Sequence, residues 1–248
     1  MTSDPTYSNA GGRRLALRKR EGTVPTLLFL PGYASDMDGA KAVALDAFAA
    51  RRGLAILRFD YSGTALSDGA FEEGKLDRWL GEALEMLDAQ TEGPVIVVGS
   101  SMGGWIALHA ALQRPDRVAG LVGIAAAPDF TDWGFNDEQR AAIERDGKFD
   151  DGGAGITAGF WKSGQQLLLL DKPIPIQCPV RLVHGENDQD VPLPVAYRLL
   201  QQLRSGDVQL TIVKGGGHRL SEPHEIGAIL QSVSGLVERV QNAPRLPS

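Results

Sequence analysis

Residues 94–112 read PVIVVGSSMGGWIALHAAL, and this stretch decides the fold. The apolar, β-branched run at 94–98 predicts a buried strand, and the run at 104–112 predicts a helix. A G-x-S-x-G pattern between a strand and a helix is typical of a sharp turn that exposes a serine hydroxyl for attack on a substrate. The alternative is a chance match, because glycine and serine are common residues.

Only one of the two adjacent serines fits such a turn. The turn strains the backbone, so the residues two positions before and after the serine must be small to avoid a collision. Ser101 is flanked in this way by Gly99 and Gly103, whereas Ser100 would be flanked by a valine and a methionine. Since glycine lacks a Cβ atom, it allows the close approach. We therefore predict that Ser101, and not Ser100, is the nucleophile.

The composition favours one globular domain without a nucleic-acid-binding surface. A length of 248 residues favours a single domain, residues 1–248, and a hydrophobic content of 43% is ordinary. A net charge of −6 argues against nucleic-acid binding, which requires clustered lysine and arginine. No apolar run approaches the roughly 20 residues of a membrane helix, and the polar segment 1–10 shows no secretory signal. We expect no nucleic-acid partner and no membrane span.

Strand and helix patterns alternate along the chain, which predicts crossover units and a mostly parallel sheet flanked by helices. Strands are predicted at 26–30, 54–59, 95–99, 118–125, 180–184 and 208–213. Helices are predicted near 39–52, 76–90, 102–113, 193–204 and 222–240. The basic stretch at 13–20 alternates Leu15 and Leu17 with charged side chains, which favours an antiparallel edge strand over an anion-binding surface patch.

The segment 129–172 interrupts this rhythm. No strand is evident between Pro128 and Pro175, and the segment combines a polar helical pattern with a glycine-rich piece. A long insertion between sheet strands is more often functional than idle, so we interpret it as a small lid. The alternative is an ordinary helical connection packed on the sheet.

A serine nucleophile needs a base, and we expect that base to be His218. It follows the final predicted strand in a glycine-rich loop, at the carboxyl end of the sheet where the sites of open α/β folds gather. His109 on the helix after the serine favours a structural role. His184 at a strand end favours a turn-packing role, and His224 at the last helix favours a solvated position.

The base in turn needs an acid to orient it, and the chain order of this type of site is serine, acid, histidine. The segment 184–192, HGENDQDVP, offers Glu186, Asp188 and Asp190. We predict Asp188 as the acid and keep Asp190 as the second candidate. Asp129, after an earlier strand, is a more distant third. Helix capping or a solvated turn is the other role open to each carboxylate.

Two backbone N–H groups are expected to stabilise the oxyanion of the tetrahedral intermediate. One is that of Met102, which follows the nucleophile at the start of a helix. The other is that of Tyr33, in the loop after the strand that ends at Leu30, where Gly32 allows the backbone to turn.

The sequence lacks the patterns that hold metals or nucleotides. Its four histidines are dispersed without ligand spacing, and the glycines at 215–217 precede a histidine rather than a Lys-Ser/Thr pair. The single cysteine, Cys178, excludes an intrachain disulfide, agrees with a reducing compartment and is interpreted as a small structural hydrophobe. We expect no metal and no cofactor.

Six segments together resemble the α/β-hydrolase superfamily over nearly the whole chain: LPGY at 30–33, RFDYSG at 58–63, GSSMGGW at 99–105, PIPI at 173–176, LVHG at 182–185 and DQDVP at 188–192. They are most similar to the family of the mitochondrial palmitoyl-protein thioesterase, also described as mycophenolic acid acyl-glucuronide esterase. That family acts on S-acyl cysteine thioesters and acyl-glucuronide esters. The resemblance implies Ser101, Asp188 and His218 as the triad. Ala65-Leu66 departs from related chains, which often carry a second glycine and a serine.

The predicted function is that of a serine hydrolase that cleaves carboxylic esters or thioesters through an acyl-enzyme. Its expected substrate is a small acyl ester or thioester, or an S-acylated protein, and its expected compartment is the cytoplasm. Carbon–carbon bond hydrolysis, perhydrolysis and a non-catalytic ligand receptor are the alternatives, because fold does not fix function. Four aromatic residues of the insertion serve either an acyl pocket or the core: Trp133, Phe135, Phe160 and Trp161.

Overall fold

An eight-stranded sheet forms the centre of the protein in a computed structural model that describes residues 4–150 and 154–242. Its strands follow the spatial order β1-β2-β4-β3-β5-β6-β9-β10. They are β1 Thr6–Ala10, β2 Arg13–Arg20, β3 Thr23–Leu30, β4 Leu54–Phe59, β5 Val95–Ser100, β6 Val118–Ile124, β9 Val180–Gly185 and β10 Val208–Val213. Every strand predicted from the sequence is present within a few residues.

The sheet is mostly parallel, as predicted, with an antiparallel end. β2 pairs antiparallel with both β1 and β4, and the other neighbouring pairs are parallel. The prediction that 13–20 is an edge strand is therefore wrong, because β1 covers β2 and forms the edge itself. The sequence pattern does not reveal β1, because an edge strand that is mostly exposed needs no alternation of apolar residues. Even its aromatic residue, Tyr7, is exposed.

Helices cover both faces of this sheet. They are α1 Ala40–Arg52, α2 Leu76–Gln90, α3 Met102–Gln113, α7 Leu193–Gln202 and α8 Pro223–Gln241. Successive side chains of a strand point to opposite faces. Leu27 of β3 accordingly packs in one buried cluster with α1 and α8, whereas Leu28 packs in a second cluster with α2 and α3. This layered arrangement confirms the predicted fold class, a mostly parallel sheet flanked by helices.

In its described residues, the insertion between β6 and β9 contains three short helices and two paired strands: α4 Phe130–Trp133, α5 Asp137–Asp146, β7 Lys148–Phe149, β8 Ile156–Thr157 and α6 Ala158–Gln165. The expectation that this segment holds no strand is wrong, because β7 and β8 pair antiparallel. Two-residue strands are too short for any alternation to be visible in the sequence. Residues 151–153 of the predicted lid lie outside the described residues, as do 1–3 and 243–248 of the predicted domain.

Local signals fix the ends of several helices. Asn136 and Gln139 form a capping box at the start of α5, each side chain bonding to the other's backbone N–H. Gly53 ends α1 in the left-handed conformation, with φ of 65°.

Within the described part of the chain, no helix combines the length and apolar character needed to cross a membrane.

Candidate active site

Ser101 occupies a strained turn between β5 and α3. Its φ of 54° and ψ of −118° lie outside the regions that L-residues favour. A Cβ atom on Gly99 would collide with the backbone of Gly103, and a Cβ on Gly103 would collide with the carbonyl oxygen of Leu30. The small residues two positions on either side of Ser101 are thus a steric requirement. The Ser101 N–H donates to the carbonyl of Ile124 at 2.9 Å, which fixes the turn to the neighbouring strand.

His218 lies in the loop after β10, and the structure places it against Ser101. Its Nε2 is 3.1 Å from Ser101 Oγ, and its Nδ1 is 2.9 Å from Asp188 Oδ2. With Nδ1 protonated and bonded to the carboxylate, Nε2 is an acceptor that can take the serine proton. The three side chains therefore form the chain of contacts that general-base activation of a serine requires.

Asp188 lies in the loop after β9, with its side chain fully buried. Its Oδ1 accepts hydrogen bonds from the backbone N–H groups of Asp190 at 3.0 Å and Val191 at 2.8 Å. Burial alone would raise the pKa of this carboxyl, but the hydrogen bonds from His218 and Val191 outweigh it and lower the pKa. Asp188 therefore stays ionised beside the histidine. Asp190, the second candidate, is exposed and donates only its N–H to Asp188.

Asp129, the third candidate acid, is engaged elsewhere. It is buried, and its carboxylate accepts from the N–H groups of Leu169 at 2.9 Å and Leu170 at 2.7 Å. Burial raises the pKa of Asp129 despite these hydrogen bonds. These hydrogen bonds hold the segment after β6 against the end of the insertion, so the contacts of Asp129 are structural.

His184 contacts the acid loop more closely than the expected turn-packing role suggested. Its Nε2 lies 2.9 Å from the carbonyl oxygen of Val191 and 3.5 Å from Asp188 Oδ2. The side chain is buried and braces the loop that presents Asp188. The spacing of four residues between His184 and Asp188 was the available signal, but only the folded turn brings the two groups together.

Of the other histidines, His109 contacts the insertion and His224 is exposed, each in agreement with its expected role. The His109 Nε2 lies 2.9 Å from the carbonyl oxygen of Leu167. Burial lowers the pKa of His109, so its neutral form is favoured. His224 lies in the first turn of α8 on the surface.

The expected oxyanion donors lie at two loops beside Ser101. Met102 is the first residue of α3, so its N–H belongs to the helix N-terminus. Gly32 is in close contact with the turn, since a Cβ there would lie 3.3 Å from the Ser101 Cβ. Tyr33 therefore follows a backbone segment that touches the nucleophile. Its backbone N–H stays the predicted second donor.

The side chain of Tyr33 contacts the insertion. Its hydroxyl donates to the carbonyl oxygen of Gly155 at 2.7 Å. Its ring packs edge-on against Phe71, with ring centroids 5.1 Å apart, and against Phe160 at 4.8 Å. Phe160 is buried in this aromatic cluster together with Trp79. The loop that carries an expected oxyanion donor is thus packed directly against the insertion.

A cleft of about 550 Å³ opens at Ser101 and His218. Its walls include Tyr33, Lys41 and Asp190. The four aromatic residues predicted to bind substrate, Trp133, Phe135, Phe160 and Trp161, are not among the residues that line this cleft. The indole N–H of Trp133 donates to the Pro128 carbonyl and that of Trp161 to the Thr131 carbonyl, whereas Phe135 packs against Phe149.

The carboxylates of Asp188 and Asp190 and the imidazole of His218 each place one possible ligand atom within 4.8 Å of the others. Carboxylate and imidazole are ordinary metal ligands. Asp188, however, is already hydrogen-bonded to His218, and His218 is hydrogen-bonded to Ser101. Both groups are therefore already engaged in the contacts that lead to Ser101.

The chain is similar to known proteins over most of its length. The family model described as "alpha/beta hydrolase fold" matches residues 25–147. The mitochondrial palmitoyl-protein thioesterase ABHD10 of Mus musculus is 38% identical over 236 residues, which cover 91% of this chain and 80% of the relative. The ABHD10 protein of Pongo abelii is 37% identical over the same share of this chain and 77% of its own length. The chain belongs to the α/β-hydrolase family, in the group of ABHD10.

Solved α/β-hydrolase structures superpose on most of the chain. Mouse alpha/beta hydrolase domain-containing protein 10 matches with a TM-score of 0.91 and 36% identity, covering 96% of this chain and all of that one. Est1E from Butyrivibrio proteoclasticus, solved with ferulic acid bound, matches with a TM-score of 0.82 over 95% of this chain and 99% of its own. At 22% identity the second match shows the fold alone.

Of the two residues Ala65 and Leu66, which the sequence sets apart from related chains, Ala65 lines a second cavity beside the cleft of Ser101. This cavity of about 360 Å³ is lined by Ala65 and Phe71, and it shares residues 34–36 with the cleft that holds Ser101. Ala154 of the insertion forms part of its wall. Ala65 therefore lies in a space that adjoins the cleft of the nucleophile.

Cys178 is half-buried and lies before β9. Burial raises the pKa of its thiol to about 11. A thiol with such a pKa is protonated at neutral pH and is a poor nucleophile, which agrees with the structural role expected for Cys178.

Proposed function

We propose that this α/β hydrolase is a serine hydrolase that cleaves acyl thioesters and carboxylic esters through an acyl-enzyme. The observation that carries the proposal is the position of His218 between Ser101 Oγ and the buried Asp188 carboxylate. Ser101 attacks the acyl carbon while His218 takes its proton, and His218 then gives that proton to the leaving thiol or alcohol. Water releases the acid from Ser101 by the same route in reverse.

The family membership supports the choice of thioesters. The ABHD10 relatives are named palmitoyl-protein thioesterases, and the identity of 36–38% extends over 91% of this chain. An S-acylated protein or a small acyl thioester is therefore the proposed substrate. The relatives are named as mitochondrial proteins, and a cytoplasmic location for this chain stays a prediction.

The test uses matched pairs of thioesters and oxygen esters over a series of acyl chain lengths, with the Ser101→Ala variant as the blank. We expect the variant to lose all turnover above the background and to lose labelling by a fluorophosphonate probe. Its melting temperature serves as the folding control. Full turnover in the Ser101→Ala variant would overturn the assignment of the nucleophile. Labelling without hydrolysis of any ester would overturn the proposed reaction.

A further inference from the structure

Two cationic side chains lie together in the cleft beside the nucleophile. Lys41 belongs to the first turn of α1, and Arg219 directly follows His218. Both line the same cleft as Ser101, and the Lys41 ammonium donates to the backbone carbonyl of Arg219 at 2.5 Å. This hydrogen bond places the lysine next to the loop that carries the base.

Neither cation has a carboxylate partner. Within residues 4–150 and 154–242, no carboxylate oxygen lies within 4.0 Å of a side-chain nitrogen of Lys41 or Arg219, whereas Arg18 and Arg181 are both paired with aspartates. The cleft is also lined by two carboxylates, those of Asp190 and of Asp36, which accepts from the N–H of Asp38 at 2.8 Å. The pair is thus a positively charged spot within a mixed cleft.

The pKa of Lys41 reflects this environment. Burial lowers it, the positive charge of Arg219 lowers it further, and Glu225 acts in the opposite direction. Lys41 is half-buried and Arg219 is exposed, and two like charges on neighbouring segments repel each other unless an anion lies between them. A bound anion would remove that repulsion, which is a physical reason for the pair to attract one.

The chemistry of the proposed reaction tells which part of the substrate meets these cations. His218 must deliver its proton to the leaving group, so the leaving group lies on the His218 side of Ser101. Arg219 adjoins His218, and Lys41 is bonded to Arg219. On the basis of the proposed function, we propose that Lys41 and Arg219 form a subsite for an anionic group, a carboxylate or a phosphate, in the leaving group of the acyl substrate.

The experiment compares thioesters that differ only in charge. S-octanoyl-3-mercaptopropionate is set against the matching propionamide, and S-octanoyl-4′-phosphopantetheine against S-octanoyl-pantetheine. We expect kcat/KM to favour the anionic member of at least one pair by about tenfold, in line with two partly exposed charge contacts. The pair that shows the preference tells whether the anion is a carboxylate or a phosphate. The preference is expected to shrink in 0.5 M NaCl, a concentration chosen to give a Debye length of about 4 Å.

Variants test whether these two residues cause the preference. Lys41→Gln and Arg219→Gln are each expected to reduce the anionic-to-neutral ratio about threefold to fivefold, and the double variant is expected to bring it near one. Arg51→Gln is the matched control, because it removes the same charge from the exposed last turn of α1. The ratio in the control variant should equal that of the unmodified protein.

A binding measurement decides the subsite independently of turnover. In the Ser101→Ala background, isothermal titration calorimetry should give a Kd about tenfold lower for the anionic than for the neutral thioester, and Lys41→Gln should reduce the difference. Equal Kd values within both pairs would overturn the subsite while leaving the serine-hydrolase proposal intact. Absence of hydrolysis of every thioester and oxygen ester would overturn the proposed function, and the calorimetry would still decide the subsite.

Discussion

Replacement of Asp188 by asparagine should abolish most of the activity without altering the shape of the acid loop. The amide oxygen can keep the position of Oδ1, where it accepts from the N–H groups of Asp190 and Val191. These two donors prevent the amide from flipping, because a flipped NH₂ group would face them. The NH₂ group is therefore forced toward His218 Nδ1, in the place of the oxygen that now lies 2.9 Å away.

The magnitude follows from the tautomer that this geometry imposes. An NH₂ donor requires Nδ1 of His218 to act as an acceptor, which leaves the proton on Nε2, the nitrogen that faces Ser101 Oγ at 3.1 Å. In that tautomer His218 cannot accept the serine proton. The expected loss in kcat is about 10³- to 10⁴-fold, which corresponds to about 4–5.5 kcal/mol of transition-state stabilisation.

The assay is steady-state hydrolysis of a neutral octanoyl thioester, with circular dichroism as the check that the Asp188→Asn variant is folded. Glu186→Gln is the matched control in the same loop, because the Glu186 carboxylate is paired with Lys214 and accepts from the N–H of Gly215. Asp190→Asn should cost less than tenfold. A folded Asp188→Asn variant that keeps a tenth of the kcat, or an Asp190→Asn variant that loses more than Asp188→Asn, would refute the reasoning.

Two further predictions concern stability. A Gly103→Ala substitution would drive a Cβ into the carbonyl oxygen of Leu30, so we expect a loss of about 3 kcal/mol or more in the free energy of unfolding by urea; a loss under 1 kcal/mol would contradict the steric account. Glu82 is buried, and burial raises the pKa of its carboxyl. Its ionisation therefore destabilises the folded state. The free energy of unfolding is unaffected below the unfolded pKa of about 4.3 and falls as the pH rises through the higher folded pKa. A Glu82→Gln substitution keeps an acceptor for the Ser62 N–H and should raise the melting temperature more at pH 8 than at pH 5; an equal effect at the two pH values would show that ionisation of Glu82 is not the cause.

Much of the fold was predictable because its signals are local. Runs of β-branched residues predicted the parallel strands, because both faces of a central strand are buried. Amphipathic stretches predicted the flanking helices, because one face of each helix packs on the sheet. The strand β1 was missed because an exposed edge strand carries no such pattern. The paired strands β7 and β8 were missed because two residues are too few to show one.

The candidate site was predictable to a different degree for each residue. Chain order and loop position led to Asp188 and His218, and the structure brings both to Ser101. The same reasoning offered Asp129, which the fold uses to hold Leu169 and Leu170 instead. The pairing of Lys41 with Arg219 had no signal in the sequence, because the two residues are 178 positions apart.

The sequence by itself determined the turn at Ser101, because a G-x-S-x-G pattern between a strand and a helix is a local signal and Gly99 leaves room for the backbone of Gly103 four residues away. The need for Gly103 itself comes from the carbonyl oxygen of Leu30, which only the pairing of the strands brings next to the turn. The sequence also determined the layered sheet, through the periodicity of its apolar residues. Only the tertiary structure decided which side chains meet at the serine. His218 lies 117 positions from Ser101, and contacts of that range arise from the order of strands in the sheet and the paths of the loops at its carboxyl end, which local propensity does not encode.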